Sequence, residues 1–422
     1  MACRKTNDPF KESASPSFYS SDVIDKWLTL QVRLYKNATG INNGAFARAF
    51  AYSGITALES LGQEDSWQNK LNGLDPLPRP EKFKSYFWPA SANAALAEYN
   101  RSFFTSSNLT PPDLTAIDSL EDAISNSFAA ENSGVLNRSA AFGKSIADDI
   151  FSWSQTDRFA EDNAMPYTLV VGPGAWQLTP PAFAAPAGPF WGNDRPIISG
   201  SQNNTLPPPP LPYSVDPKSA FYKMVNDVYA ASKVLTDDQK AMALFWRDVP
   251  GVTTPGHWLS ILQQVLKQTK SHLDKACTAY ALSGICENEA RISVFETKYT
   301  YNLVRPVTYV RSVILDATWL PFIATPSHPE YISAHSVVSE ATAQALTAVF
   351  GDIGSFTDHT YDYLGFAPRT FKSFTAIATD AGNSRFYGGI HYQMSIDLGL
   401  KEGKKVASNV LDKLGLDDNV KK

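Results

Sequence analysis

The chain has 422 residues, a formal net charge of −5 and 19% charged residues. That length carries a large core, as one big domain or two, and the mildly acidic balance argues against a nucleic-acid partner. No apolar run approaches the roughly 18 residues of a membrane span, and three cysteines, Cys3, Cys277 and Cys286, cannot make a disulfide scaffold. On one helix Cys277 and Cys286 would sit roughly 13 Å apart, too far to bridge, so they read as small buried apolar residues.

In chain order, residues 1–20 are polar and Ser-rich and read as a flexible leader. Apolar residues recur at helical spacing over 21–35 (Val23, Ile24, Trp27, Leu28) and again over 42–61, ending at Gly62. After a Pro-rich break at 76–80, residues 91–104, 114–128 and 140–153 read as helices and complete an N-terminal helical half over 21–165. The stretch 166–217 is rich in Pro and Gly. Its Trp176, Phe183, Phe190, Trp191 and Tyr213 need burial, so it reads as a segment wrapped over the surface near the active site rather than a polar linker. Aromatic surface in this segment could serve a homodimer contact.

From residue 218 the pattern is helical to the end, with helices expected over 221–235, 237–247, 254–270, 271 to about 301, 336–350, 370–385 and 394–414. This catalytic half, 218–422, is expected to pack on the first half as one unit. There is no sustained period-2 alternation and no fixed repeat, so the fold class is all-α, a large helical bundle.

Three blocks concentrate the chemistry: KYTYNLVRP (298–306), PEYISAHS (329–336) and NSRFYGGIHYQMSID (383–397). Lys298, Arg305 and Arg385 are cations; Ser333 and His335 sit where an apolar helical pattern begins, and His391 lies six residues beyond Arg385. Arg offers planar paired donors to oxyanions and Lys a compact charge. A helix start aims unpaired N–H groups at an anion. One imidazole can move protons near neutral pH while another binds or attacks the central atom. Together these parts describe a cage for a tetrahedral oxyanion. The rival reading of Ser333 is a helix cap, and each cation taken singly would read as an ordinary surface or salt-bridged charge; the joint spacing favours the cage.

The blocks resemble the signature motifs of the type 2 phosphatidic acid phosphatase and vanadium-dependent haloperoxidase superfamily. Those motifs are Lys, six residues, Arg-Pro; then Pro-Ser-Gly-His; then Ser-Arg, five residues, His, three residues, Asp. Lys298 to Arg305-Pro306 and Ser384-Arg385 to His391 match in full. Ile332-Ser333-Ala334-His335 carries Ile for Pro and Ala for Gly, and Ser395 stands where the Asp belongs, with Asp397 two residues late.

The resemblance implies a helical bundle of the vanadium haloperoxidase and acid phosphatase type, in its soluble branch. It also implies roles. Lys298, Arg305, Ser333, Ala334 and Arg385 would hold the oxyanion, with Lys298 also polarising peroxide. His335 would be the acid–base residue and His391 the vanadium ligand, or the nucleophile on phosphorus. A neutral His391 needs an acceptor on its second nitrogen, for which Asp397, Ser395 or a backbone carbonyl are the candidates. Glu289 and Glu296 are expected to offset part of the positive cluster. Phe295 and His328 fall at halide-pocket positions and point to bromide or iodide. His257, His272 and His359 read as structural or exposed.

The implied activity is that of a vanadate-dependent haloperoxidase, using hydrogen peroxide, halide and a small organic acceptor. The rival is a soluble acid phosphatase that takes a phosphomonoester, with phosphate in the same cage and a phosphohistidine at His391. A non-catalytic phosphate-binding protein is a third reading. The opening MACRKTND is similar to the mature end of a bacterial lipoprotein, with Cys3 lipidated and the protein exported to the periplasm or anchored at the outer membrane without spanning it. Otherwise Cys3 is an exposed thiol.

Overall fold

The computed structural model describes residues 12–63, 67–247 and 252–416. Cys3 lies outside them. Residues 12–20 of the expected leader are held down: Ser13 Oγ accepts from Tyr86 N at 2.8 Å, Pro16–Phe18 form a 3-10 turn, and Ser20 bridges to His272.

The first helices are α1 (Asp22–Asn37) and α2 (Asn43–Glu59), the latter capped by Asn42, whose side chain accepts from Ala45 N. Next come α3 (Trp88–Phe103) and α4 (Pro111–Ser127), each with proline in its first turn, where the missing N–H costs nothing. Helix α5 (Ser133–Ser154) starts seven residues before its apolar spacing begins. Asn132 caps it, and its first turns bury little, so periodicity could not reveal them. The short α6 (Phe159–Ala164) precedes the Pro/Gly-rich stretch, whose regular structure among the described residues is one 3-10 turn at Trp191–Asn193. Trp176 and Trp191 are buried there as their size demands, whereas Phe183 is 57% exposed.

The second half holds α7 (Ala220–Ser232), α8 (Asp237–Phe245), α9 (Thr254–Thr269) and α10 (Leu273–Tyr301). After these come α11 (Pro306–Tyr309), α12 (Ala334–Phe350), α13 (Phe374–Tyr387) and α14 (Gln393–Leu414). The helix expected over 370–385 begins only at Phe374. Residues before it form β2 (Arg369–Phe371), paired antiparallel with β1 (Phe356–Asp358), and Ser373 caps α13 by accepting from Ala376 N. A three-residue ladder is too short to show alternation in sequence. No helix among the described residues is long and apolar enough to cross a membrane.

Helix α10 is 29 residues long, and its stretch 279–295 is buried on every side, as expected of a helix at the centre of a large core. It packs against α2 from the first half and against α12 and α14 from the second, so both halves share one hydrophobic core. Cys277 and Cys286 are free thiols buried in it. The α2–α10 crossing is close because each helix presents a glycine: a Cβ on Gly284 would lie 2.6 Å from Ala51 Cα, and one on Gly54 2.7 Å from the Tyr280 carbonyl. Since backbone cannot yield as a side-chain tip does, Gly284→Ala should cost about 1–3 kcal/mol, read as a lower midpoint in denaturant unfolding with an unchanged slope.

Candidate active site

The site is assembled where the chain leaves α10 and returns to start α12. Helix α10 ends at Asn302 in the left-handed region (φ 47°). The loop before α12 then folds back over the last turn of α10, where Lys298 Nζ donates to the carbonyls of Pro329 (3.0 Å), Glu330 (3.1 Å) and Ile332 (2.6 Å). Arg305 works in the same way from the next segment. Its Nε donates to His328 O at 2.9 Å, Nη2 to His328 Nδ1 at 3.0 Å, and Nη1 to Ile390 O at 2.9 Å and His391 Nε2 at 3.1 Å. Both cations are fully buried. Ser333 is the cap of α12: its Oγ accepts from Ser336 N at 3.4 Å, and its own N–H donates to Ser395 O at 3.2 Å. Arg385, in the last turn of α13, donates from Nη1 to the Trp246 carbonyl.

What orients His391 is a residue that sequence reading missed. Its Nδ1 lies 2.9 Å from Glu330 Oε1, which also accepts from Tyr392 N at 2.9 Å, while Ser395 Oγ donates to Glu330 Oε2 at 2.7 Å. With Oε1 already an acceptor, the imidazole donates through Nδ1 and carries its lone pair at Nε2. Neither Asp397 nor a backbone carbonyl takes this part. Asp397 bonds Gln393 on the exposed side of α14, and Ser395 acts one step removed, through Glu330. The only trace in sequence was an acidic residue inside the second block, and nothing linear connects Glu330 to a histidine 61 residues on.

Burial and crowding of like charge set the electrostatics. Burial, then the Arg305 charge, holds the Lys298 ammonium well below its ordinary basicity, with Glu330 and Glu402 opposing. Arg305 is brought down to about 10 by burial. His391 and His328 are kept neutral first by burial and then by the Arg305 and Lys298 cations. Burial lifts Glu330 to about 7 against the bonds from Tyr392 and Ser395. Among the described residues, the acids facing this cluster are therefore Glu330 and Glu402. Glu289, expected to offset the cluster, instead binds Ile197 N, Ile198 N, Ser201 Oγ and Gln202 Nε2, pinning the wrapped segment to α10. Glu296 is exposed.

Glu402 accepts from Ser293 Oγ (2.9 Å) and Thr297 Oγ1 (3.4 Å), and burial raises its carboxyl to about 8. The folded state thus holds a proton that the unfolded chain releases near 4.5. That contribution is complete below 4.5 and lost as pH rises through about 8. Glu402→Gln, which keeps an amide in place without ionising, should gain stability relative to the parent between pH 5 and pH 8, on the order of a few kcal/mol. Urea unfolding of both proteins across that range checks it; parallel pH profiles would contradict it.

A cavity of about 300 Å³ opens beside this cluster. His391, His335, Arg385, Ala334, His328 and Phe295 all line it. The His328 and Phe295 rings meet edge to face at 5.3 Å, and His335 Nε2 lies 3.5 Å from Thr254 Oγ1. Lys298, Arg305 and Ser333 do not line the cavity but sit behind its wall. The expected residues therefore converge, with one difference in role: Lys298 spends all three N–H groups on backbone. It reaches the cavity through its charge and through the shape of the loop it ties. The donor set fits a tetrahedral oxyanion bound to an imidazole, since one neutral nitrogen faces an arginine, a helix start and a second arginine.

Residues 278–415 match the family model of the VCPO second helical-bundle domain. No curated protein sequence matches the chain. Among solved structures, a bacterial vanadium-dependent iodoperoxidase superposes with a TM-score of 0.85 at 32% identity, over 96% of this chain and 98% of that one. The apo form of a bacterial vanadium-dependent chloroperoxidase superposes at 0.65 and 15% identity, over 91% of this chain and 96% of that one. The holo form of a bacterial vanadium-dependent chloroperoxidase gives 0.64 and 15%, over 100% and 97%. The last two share the fold alone. The first, similar over nearly the whole of both chains, together with the matched domain, places this protein in the vanadium-dependent haloperoxidase family.

Proposed function

We propose that the enzyme oxidises halide with hydrogen peroxide to hypohalous acid, with vanadate held at His391 Nε2. The observation that supports this most is the Glu330 contact, which leaves Nε2 neutral with its lone pair, met here by Arg305 Nη1, as a metal–oxo ligand requires. Vanadate supplies Lewis acidity that activates bound peroxide. The chain's residues do the remainder. Arg305, Arg385 and the start of α12 at Ser333 and Ala334 would hold the oxyanion with donors fixed in advance. Lys298 contributes charge from behind the loop. His335, on the cavity wall, moves protons to and from peroxide at its ring nitrogen.

Phe295 and His328 make the halide pocket in this reading. A large polarisable anion suits an aromatic edge and a neutral imidazole, favouring iodide or bromide, and the relative at 32% identity is an iodoperoxidase. To test it, the purified protein is loaded with orthovanadate and given peroxide with iodide, bromide or chloride, and p-nitrophenyl phosphate hydrolysis is followed without vanadate. Halide oxidation in the order iodide, bromide, chloride supports the proposal. Hydrolysis without halide oxidation overturns it in favour of a phosphatase.

A further inference from the structure

The cavity is larger and less polar than peroxide and a halide require. Its 300 Å³ is about ten times the roughly 30 Å³ that a water occupies in the liquid. Trp191, Phe295, Val294, Val338, Pro255 and Pro326 give it apolar walls. An enzyme that only released a diffusible oxidant would have no use for such a surface, whereas a flat organic molecule would. The Trp191 and Phe295 rings lie 4.5 Å apart, and Phe295 in turn abuts His328, so an aromatic wall leads toward His391.

Arg291 also lines this chamber, one turn before Phe295 on α10, and is 4% exposed. Its Nη1 donates to Asp194 Oδ2 at 2.7 Å and its Nη2 to Asn288 Oδ1 at 3.0 Å, while Nε is buried with no hydrogen-bond partner. Asp194 and Asn288 take one hydrogen from each Nη, so each keeps a second N–H with which the guanidinium can meet an anion in the chamber. The guanidinium stands 5.6 Å from the ring centres of both Trp191 and Phe159. Asp194 offsets it only in part near neutrality, because burial, with Asp157 and Asp162 nearby, raises that carboxyl to about 7.

We infer that the chamber binds the organic acceptor itself, an electron-rich arene bearing one carboxylate, with the acid group on Arg291 and the ring along Trp191 and Phe295 facing His391. This rests on the haloperoxidase reading above. Transfer from hypohalous acid then forms the carbon–halogen bond, breaks the O–X and ring C–H bonds, and releases water. Halogenation would take place inside the chamber, before the oxidant escapes. Glu287, one turn before Arg291 on α10, is another charged residue of the same wall. It disfavours a second anionic group at that end and makes a cationic arene the natural competitor.

The test is calorimetry on the vanadate-loaded wild-type enzyme with three arenes that differ in charge: 4-hydroxybenzoate, its methyl ester and tyramine. The acid should bind about tenfold more tightly than the ester, the value of one charge-assisted hydrogen bond, with tyramine weakest. Arg291→Gln should bring acid and ester level. If that variant fails to fold because Asp194 loses its partner, the wild-type ranking alone decides. Equal binding of acid and ester, or preference for tyramine, overturns the inference. Triiodide formation from iodide and peroxide with no arene present keeps the two readings apart. Its absence sinks the proposed function, while its presence without acid selectivity sinks the subsite alone.

Discussion

His391→Ala should abolish halide oxidation, lowering turnover by roughly 10³-fold or more, as when one member of an interdependent catalytic set is removed. The side chain makes hydrogen bonds from Nδ1 to Glu330 and from Nε2 to Arg305, and in the proposed function it is the ligand that holds the cofactor. Without the imidazole, Arg305 loses an acceptor and Glu330 a donor in a fully buried setting, which costs about 1–3 kcal/mol of stability as well. Two measurements separate these effects: vanadate retained after gel filtration, and unfolding midpoint of the vanadate-free protein. Loss of retention with a modest midpoint change supports a ligand role. A variant that still turns over at the parent rate would show that the site has been misassigned.

Glu330→Gln should weaken vanadate affinity by about 10–100-fold, the usual cost of losing the partner behind a metal-binding histidine. The amide oxygen can still accept from His391 Nδ1 and Tyr392 N, so geometry is largely kept. What goes is the negative charge that makes Nε2 a better donor and counters Arg305 and Lys298. Ser395→Ala, which removes only the bond to Oε2, should shift affinity in the same direction by less. Asp397→Asn is the control, because that carboxylate faces solvent beside Gln393. Vanadium NMR titrations of the four proteins give the order. If Asp397→Asn weakens binding and Glu330→Gln does not, the sequence-based candidate was right and the carboxylate seen behind His391 is incidental.

The contrast between these two acids shows what was legible in the chain and what was not. Lys298, Arg305, Arg385, His335 and His391 stand at fixed linear intervals because each sits at the end or start of a helix, where spacing carries over into geometry. Glu330 could not be found that way, since it meets His391 only after 61 residues, including all of α12 and α13, have folded between them. The direction of the Lys298 ammonium was equally hidden: spacing brings it to the site but cannot say that three backbone carbonyls claim it. The helices were readable wherever an apolar face repeats. The opening of α5 and the ladder before α13 were not, for they rest on a side-chain cap and three residues of pairing respectively.

Helix α10 has one further consequence. Arg291, Phe295 and Lys298 ride on the same rod that fills the middle of the protein, wedged against α2 by apposed glycines. That side of the reaction vessel cannot breathe without melting the whole molecule. Any give that admits a substrate has to come from the opposite bank, so heat should impair the site there before α10 itself loosens.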